Sequence, residues 1–181
     1  MADHRTENLA RILVEHSARI AEGDRVLIEA TTLSKDLVQE LFKQILDAGG
    51  HPYVGMQLPE YRELLFGHGN QEQLRHVNEL RAYAYENFES RIRIQADVNT
   101  KATSGVDPKR QTLKMEAEAP ILRKQFRRGE TGEFKWVSTM YPTQAYAMQA
   151  SMGFEEYKDF FFRAAHTNEE DPVEYWKQIK V

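Results

Sequence analysis

The sequence has no cysteine among its 181 residues. Disulfide bonds, thiolate-bound zinc and cysteine nucleophiles are therefore all excluded. Nowhere does it approach the roughly 18 consecutive apolar residues that a membrane-spanning helix needs. The first residues also lack the apolar stretch of a secretory signal. These absences predict a cytoplasmic protein that has no membrane partner.

An excess of positive charge is also missing. The 24 basic and 28 acidic residues are mixed along the chain and leave a net charge of −4. A nucleic-acid-binding surface usually gathers a basic excess on one face, so we predict no nucleic-acid partner. The densest basic run comprises Arg123, Lys124, Arg127 and Arg128. Its position is typical of a helix C-terminus, where the helix dipole favours cations, and contact with an anionic partner is the alternative.

Glycine is absent from the loop that would cradle a phosphate after the first predicted strand. This loop, Ala30 to Ser34, matches neither the dinucleotide fingerprint nor the P-loop, both of which need glycine for close approach of the backbone. Its hydroxyl groups leave a second possibility open, that Thr31 to Ser34 and the following helix N-terminus hold a small anion. Ordinary capping of the helix by Ser34 explains the same residues.

Recognisable metal-binding and nucleophilic motifs are also lacking. No two of the six histidines have the i, i+4 spacing of the zinc-protease motif. Glu72 and His76 have that spacing, but on so charged a helix it is typical of a solvated pair. No serine lies in a nucleophile-elbow sequence. We therefore predict that this chain carries no catalytic residue, no metal ligand and no cofactor of its own.

The sequence does contain a regular alternation of strand-like and helix-like segments. Strands are predicted at about 25–30, 52–58, 91–96 and 134–140. Helices are predicted at about 3–22, 34–48, 59–65, 72–88 and from 107 to the break at Gly129 and Gly132, and the chain is predicted to be helical again after 143. Short connections between them predict one α/β domain over 1–181, with a mostly parallel sheet of about four strands flanked by helices and a helical C-terminal segment. The strand at 91–96 alternates charged and apolar residues, which favours a half-exposed position at a sheet edge. Pro120 is expected to kink or restart its helix.

Aromatic residues are concentrated after residue 135, and three of them are consecutive. Because successive helical side chains point in different directions, Phe160, Phe161 and Phe162 cannot all face one core. At least one is expected to lie outside the domain's own core, against a second domain, a subunit or a cleft. An aromatic-rich core beneath two crossing helices is the alternative for the segment as a whole.

An ordered set of short motifs resembles a known family. The set comprises Glu22-Gly-Asp-Arg-Val-Leu-Ile-Glu29, Asp47-Ala-Gly-Gly-His-Pro52, and the run of Trp136-Val137, Tyr141-Pro142-Thr143, Ala145, Ala147, Met152, Glu155-Glu156-Tyr157, Asp159-Phe160, Ala164-Ala165, Asp171-Pro172-Val173 and Trp176. In order and spacing it is similar to the N-terminal region of the thermophilic metalloprotease family, the aminopeptidase T and aminopeptidase S group.

The resemblance implies an exopeptidase that removes N-terminal residues from peptides with a pair of divalent cations, such as cobalt, zinc or magnesium. In that family the metal ligands and the catalytic tyrosine lie in a C-terminal domain, which this chain does not include. The chain would then be the non-catalytic half, reaching peptide substrate through the missing catalytic domain and forming a homodimer at full length. Within it, Tyr141, Thr143 and Trp136 are predicted to line the substrate cleft or an interdomain surface.

Two further expectations concern the ends and surfaces of the chain. The last helix opens with Asp171-Pro172 but has no closing glycine before Val181, so the native chain is expected to continue. Loss of a partner surface would leave apolar area exposed and promote self-association. Two other functions stay open: a stand-alone α/β binding module without peptidase activity, and a non-peptidase enzyme that binds a small anion at Thr31 to Ser34.

Overall fold

A four-stranded parallel sheet forms the centre of the computed structural model, which describes residues 3–179. The strands are β1 (Arg25–Thr31), β2 (His51–Gln57), β3 (Ser90–Gln95) and β4 (Lys135–Met140), and their order across the sheet is β2-β1-β3-β4. Every neighbouring pair is parallel. The predicted α/β fold, with a mostly parallel sheet of about four strands, is confirmed.

Helices connect and flank the strands. They are α1 (His4–Arg11), α2 (Lys35–Asp47), α3 (Tyr61–His68), α4 (Gln71–Arg75), α5 (Glu79–Asn87), α6 (Pro108–Glu130), α7 (Gln144–Gln149), α8 (Phe154–Ala164) and α9 (Pro172–Gln178). Among residues 3–179, none of them combines the length and the apolar composition required to cross a membrane.

Two predicted helices are each divided in two. The first ends as an α-helix at Arg11 and continues as a π-helical segment, Ile12–Ser17, in which Ala18 N–H donates to the Leu13 carbonyl at 2.9 Å. The helix predicted for 72–88 is α4 followed by α5, because Asn78 interrupts it and caps α5 by accepting from the Arg81 N–H at 3.0 Å.

The main core lies on one face of the sheet, and its pattern follows strand periodicity. Val26, Ile28 and Ile92 are fully buried there against α1, α2 and Phe162 of α8. The opposite face carries a smaller cluster of Tyr85, Ile121 and Phe134 beneath α5 and α6. Side chains of one strand point alternately to the two faces, so each inner strand contributes to both layers.

The edge position predicted for the third strand is wrong. β3 lies between β1 and β4, and Arg91 within it is almost fully buried. Its charge alternation has another cause: the Arg91 guanidinium lies 2.5 Å from the Glu29 carboxylate of β1. A buried charge is tolerated when it is paired and hydrogen-bonded, and this pair is invisible to a pattern taken from one strand.

Pro120 does not restart its helix, because α6 is continuous across it. Contacts on both sides of the proline hold the helix in place. Before it, Arg110 donates to the carbonyls of Phe66 and Gly69 at 2.8 and 2.6 Å. After it, Ile121 and Gln125 are buried. Tertiary packing of this kind outweighs the local cost of one missing backbone donor.

The C-terminal segment is helical, as predicted. Asp171 caps α9 by accepting from the N–H groups of Val173 and Glu174 at 3.1 and 3.2 Å. The helix ends at Gln178, and the prediction that concerns the chain around Val181 lies outside the described residues. In α8, Phe162 is fully buried while Phe160 is exposed, so the expectation that the three phenylalanines cannot share one core is confirmed.

Candidate functional site

The carboxyl ends of the parallel strands meet at one edge of the sheet, where α/β proteins generally bind ligands. Thr31, at the end of β1, donates its hydroxyl hydrogen to the Ala96 carbonyl just after β3, at 2.8 Å. Tyr141, just after β4, donates its N–H to the Gln95 carbonyl at 2.9 Å. These bonds hold the loops of three strands together, and we take this edge as the candidate site.

Tyr141 joins this edge to the first helix. Its phenolic oxygen lies 3.3 Å from Thr6 Oγ1, and the ring packs against the main core. Burial raises the pKa of the Tyr141 phenol above its ordinary value. A neutral, half-buried phenol of this kind acts chiefly as a structural link between α1 and the sheet.

Thr143 lies two residues further along and is buried. Its hydroxyl oxygen accepts a hydrogen bond from the Tyr146 N–H at 3.3 Å, which makes it the N-cap of α7. A side-chain oxygen at this position satisfies one of the unpaired backbone donors at a helix start. Thr143 therefore shapes the edge by starting a helix there.

A hydrogen bond between Tyr146 and Asp97 was not foreseen from the sequence. The Tyr146 hydroxyl donates to Asp97 Oδ2 at 2.8 Å and so connects α7 to the loop after β3. Burial, reinforced by this hydrogen bond, raises the pKa of the Tyr146 phenol. A polar residue directly after a buried strand is the signal that would have nominated Asp97, but its partner is distant in the sequence.

Trp136 belongs to a different surface from Tyr141 and Thr143. It is in register with Arg91 of β3, on the sheet face covered by α6, whereas Tyr141 packs on the main core of the other face. The indole is 42% exposed and meets the ring of Phe126 edge to face, with the centroids 6.0 Å apart. A Cβ on Gly129 would lie 3.3 Å from Trp136 Nε1, so the indole also lies close against the α6 backbone.

The loop from Thr31 to Ser34 offers little to an anion. Ser34 occupies the N-cap position of α2, but its side chain does not make the predicted capping hydrogen bond: it is fully buried, and its hydroxyl donates back to the Thr31 carbonyl at 3.0 Å. Asp36 adds a negative charge to the first turn of the same helix. Two of the hydroxyl groups expected to bind an anion, those of Thr31 and Ser34, thus already donate to the carbonyls of Ala96 and Thr31.

A charged cluster occupies the space between the sheet and helices α5 and α6. The Glu29 carboxylate accepts from Arg91 Nε at 2.5 Å and from the Tyr85 hydroxyl at 3.0 Å, and Arg81 Nε lies 2.8 Å from its other oxygen. The Arg81 Nε contact is an ion pair without hydrogen-bond alignment. Burial would raise the pKa of Glu29, but the charges of Arg81 and Arg91 outweigh it and hold that pKa below its ordinary value. A carboxylate committed in this way stabilises the fold and is not available as a general base.

The described residues provide no site for the pair of divalent cations that the family resemblance implies. Among residues 3–179, no group of three or more histidine, aspartate and glutamate side chains lies close enough together to hold a metal ion. An open groove of about 720 Å³ lies among α3, α4, α5 and α6, lined by Tyr61, His68, His76, Glu79 and Lys114 among others. His68, His76 and Glu79 are potential ligands, but no three such side chains of the described segment come close enough together to hold a metal ion.

Comparisons with known proteins place these features in context. The family model described as thermophilic metalloprotease (M29) matches residues 2–181. Among solved structures, wild-type AmpT from Thermus thermophilus superposes with a TM-score of 0.75 at 17% identity, over 96% of this chain and 45% of that chain. At this identity the likeness shows a shared fold. The chain thus spans less than half the length of AmpT. No curated protein matches it.

Proposed function

Because the chain belongs to the thermophilic metalloprotease family, we propose that it is the non-catalytic N-terminal domain of a metal-dependent aminopeptidase. Such an enzyme removes residues from the N-terminus of peptides. The observation that carries the proposal is the match of a metallopeptidase family along the chain, combined with a described segment that lacks any metal-holding cluster. The overlap with less than half of AmpT supports a division of labour between this domain and another.

The divalent cation pair would be held by residues outside 3–179, since those described provide no set of three donors. Cobalt, zinc or magnesium would polarise the scissile carbonyl and activate water. The residues of this chain fit a supporting role instead. Their polar groups at the sheet edge are engaged with one another, as with Thr143 and Tyr146, and so form a preorganised wall.

Trp136 is the residue that we propose for contact with the catalytic domain or its cleft. Its indole and the ring of Phe126 form an exposed apolar pair on the α6 face of the sheet. Exposed aromatic area is enriched where two protein surfaces meet. Tyr141 and Thr143 would act less directly, by fixing α1 and α7 at the cleft edge. A cytoplasmic location is part of the same proposal, supported by the absence of cysteine.

A hydrolysis assay tests the proposal. The chain is incubated with an aminoacyl chromogenic substrate and cobalt, zinc or magnesium, with wild-type AmpT from Thermus thermophilus as the positive control. We expect no turnover above background for this chain and no tight binding of two cations in a calorimetric titration. Metal-dependent turnover by this chain alone would contradict the assignment of catalysis to another domain.

The parent reading frame provides a second, independent test. Continuation past Val181 into a segment rich in glutamate and histidine supports the proposal, and a stop codon there favours a stand-alone binding module. In a continuing protein, Trp136→Ala is expected to lower kcat/KM or weaken the domain contact. The matched change Leu80→Ala, at an exposed apolar residue of α5 away from the cleft edge, is expected to leave both unchanged.

A further inference from the structure

The edge strand β2 is unusually unprotected. It is exposed on both faces of the sheet, and none of its seven residues carries a formal charge. Natural edge strands usually discourage pairing with other chains through charged side chains, proline or bulges. Here the only such device is Pro52, near the beginning of the strand.

The outer edge of β2 presents free backbone groups. His51 N–H donates to the Asp24 carbonyl at 2.7 Å, so His51 turns toward β1. In a parallel ladder alternate residues bond to the same neighbour, so Tyr53 and Gly55 also turn toward β1. Val54 and Met56 therefore direct their N–H and carbonyl groups outward, away from the sheet.

Apolar side chains surround this edge. Tyr53, Val54 and Met56 are exposed by 48, 43 and 40%, and Phe42 and Leu46, on the helix α2 that packs on β1 and β2, by 40 and 52%. Five large side chains that are each about half exposed present on the order of 500 Å² per molecule. Two such surfaces together provide roughly 1,000 Å², the lower limit for a specific protein interface, and the backbone hydrogen bonds of the paired strands add to it.

We propose that β2 pairs antiparallel with β2 of a second copy of this chain and so forms an eight-stranded sheet across a two-fold axis. An axis at Val54 brings this residue opposite its own copy, where the two exchange both backbone hydrogen bonds. Met56 N–H then donates to the carbonyl of Pro52 in the second copy. Because Pro52 has no N–H, the Met56 carbonyl is the one acceptor left unpaired on each side. A strand without charge meets itself without like-charge repulsion.

This dimer does not depend on the proposed peptidase role, since the pairing uses backbone and apolar groups away from Trp136. Metal-dependent turnover by this chain would contradict the proposed non-catalytic role and leave the dimer proposal unaffected. A chain that stays monomeric would overturn the dimer proposal and leave the proposed role in an aminopeptidase unaffected. The measurement is sedimentation of the purified chain over a range of concentrations. We expect a monomer–dimer equilibrium, and a monomer at all concentrations would overturn the proposal.

Val54→Lys locates the interface. The Val54 side chain is exposed and its N–H is not used by β1, so circular dichroism should show the native fold. Two lysines placed opposite each other should weaken the dimer at least about tenfold. The control is Leu80→Lys, at a residue 83% exposed on α5, which should dimerise like the original chain. If Val54→Lys fails to fold, Met56→Lys serves in its place; dimerisation of the folded edge variant at full strength would overturn the assignment.

The absence of cysteine allows a direct test of register. In the proposed pair the two Val54 Cα atoms are about 5.5 Å apart, within the range that a disulfide spans. Val54→Cys should therefore form a covalent dimer under mild oxidation, and Leu80→Cys should do so far more slowly. A chain that dimerises but gives equal cross-linking at both positions would overturn the antiparallel pairing at Val54.

Discussion

The carboxylate of Glu29 on β1 lies 2.5 Å from the guanidinium Nε of Arg91 on the adjacent strand β3, beneath helices α5 and α6. Arg81 of α5 approaches the same carboxylate, and Glu118 of α6 pairs with Arg81 in turn. The chain thus links its sheet to two helices through one ion-pair network. Such a network is costly to break because removing one partner leaves a buried charge uncompensated.

Glu29→Gln is expected to destabilise the fold by about 3 kcal/mol at neutral pH, since the buried Arg91 and the partly buried Arg81 would lose a counter-charge. Urea denaturation measures the free energy of unfolding. The control is Glu174→Gln in the exposed pair with Lys177, where we expect a change near zero. Equal stability of both variants would show that the network contributes nothing.

Glu89→Gln is expected to reveal an acid-dependent stabilisation. The Glu89 carboxylate accepts from the Arg25 backbone N–H at 2.8 Å and pairs with its guanidinium at 2.6 Å. This hydrogen bonding to Arg25 lowers the pKa of Glu89 to about 2. A lowered folded pKa gives stability that is present above the unfolded value of about 4.3 and is lost as the pH falls toward 2.

The measurement compares unfolding free energies of the original chain and Glu89→Gln between pH 2 and 7. Because the pair is partly exposed, we expect a difference of only about 1 kcal/mol at neutral pH, shrinking below pH 4.3. The exposed Glu60→Gln serves as the control and should follow the original chain throughout. A difference that does not vary with pH would contradict the role of the Glu89 charge.

Tyr146→Phe is expected to reduce stability by about 1–2 kcal/mol, since the hydrogen bond to Asp97 joins a buried phenol to a carboxylate. Asp97 is exposed and can be rehydrated, which limits the loss. Tyr83→Phe, at a largely exposed ring, is the matched control and should change little. Thermal and urea unfolding of both variants provide the comparison.

The same tyrosine predicts a pH effect on the alkaline side. Burial, together with the Asp97 carboxylate, raises the pKa of Tyr146 above that of a free phenol. The stabilisation is therefore complete below about pH 10 and is lost as the pH rises beyond that value. Ultraviolet titration should show several tyrosines ionising late, Tyr146 and Tyr141 among them, and this late component should be smaller by one tyrosine in Tyr146→Phe.

Pro120→Ala is expected to stabilise the chain by roughly 1–3 kcal/mol, because alanine restores a backbone donor in the interior of α6. The gain is reduced by the greater freedom of the unfolded chain. Pro108→Ala at the first turn of the same helix is the control, and it should give no comparable gain because proline is well accommodated there. A stability loss in Pro120→Ala would indicate that the proline has a packing role.

Much of the fold was predictable from short segments. The four strands, the cap at Asp171 and the separation of Phe160 from Phe162 depend on side-chain periodicity or on neighbours within one helical turn. The division of the helix predicted for 72–88 could have been predicted in the same way, because Asn78 is a typical N-cap residue. The family resemblance depends only on the order and spacing of short motifs. It indicated the thermophilic metalloprotease family, and the family model that matches residues 2–181 confirms it.

The candidate site was less accessible to the same reasoning. Tyr141 and Thr143 do lie at the carboxyl edge, but their contacts with Thr6 and Tyr146 are visible only in three dimensions. Trp136 is close in sequence yet points to the opposite face of the sheet from Tyr141. The family resemblance grouped the three residues, and strand alternation separates Trp136 from the other two.

The sequence alone therefore determined which segments are strands and which are helices, because those preferences arise between residues a few positions apart. Only the tertiary structure decided that β3 is an inner strand, that Arg91 is buried, and that β2 is left open at the edge. The contacts responsible join residues far apart in the chain: Glu29 and Arg91 are separated by 62 positions, and Asp97 and Tyr146 by 49. Whether a charge is buried or exposed depends on which partner the fold brings to it, and local periodicity contains no information about that partner.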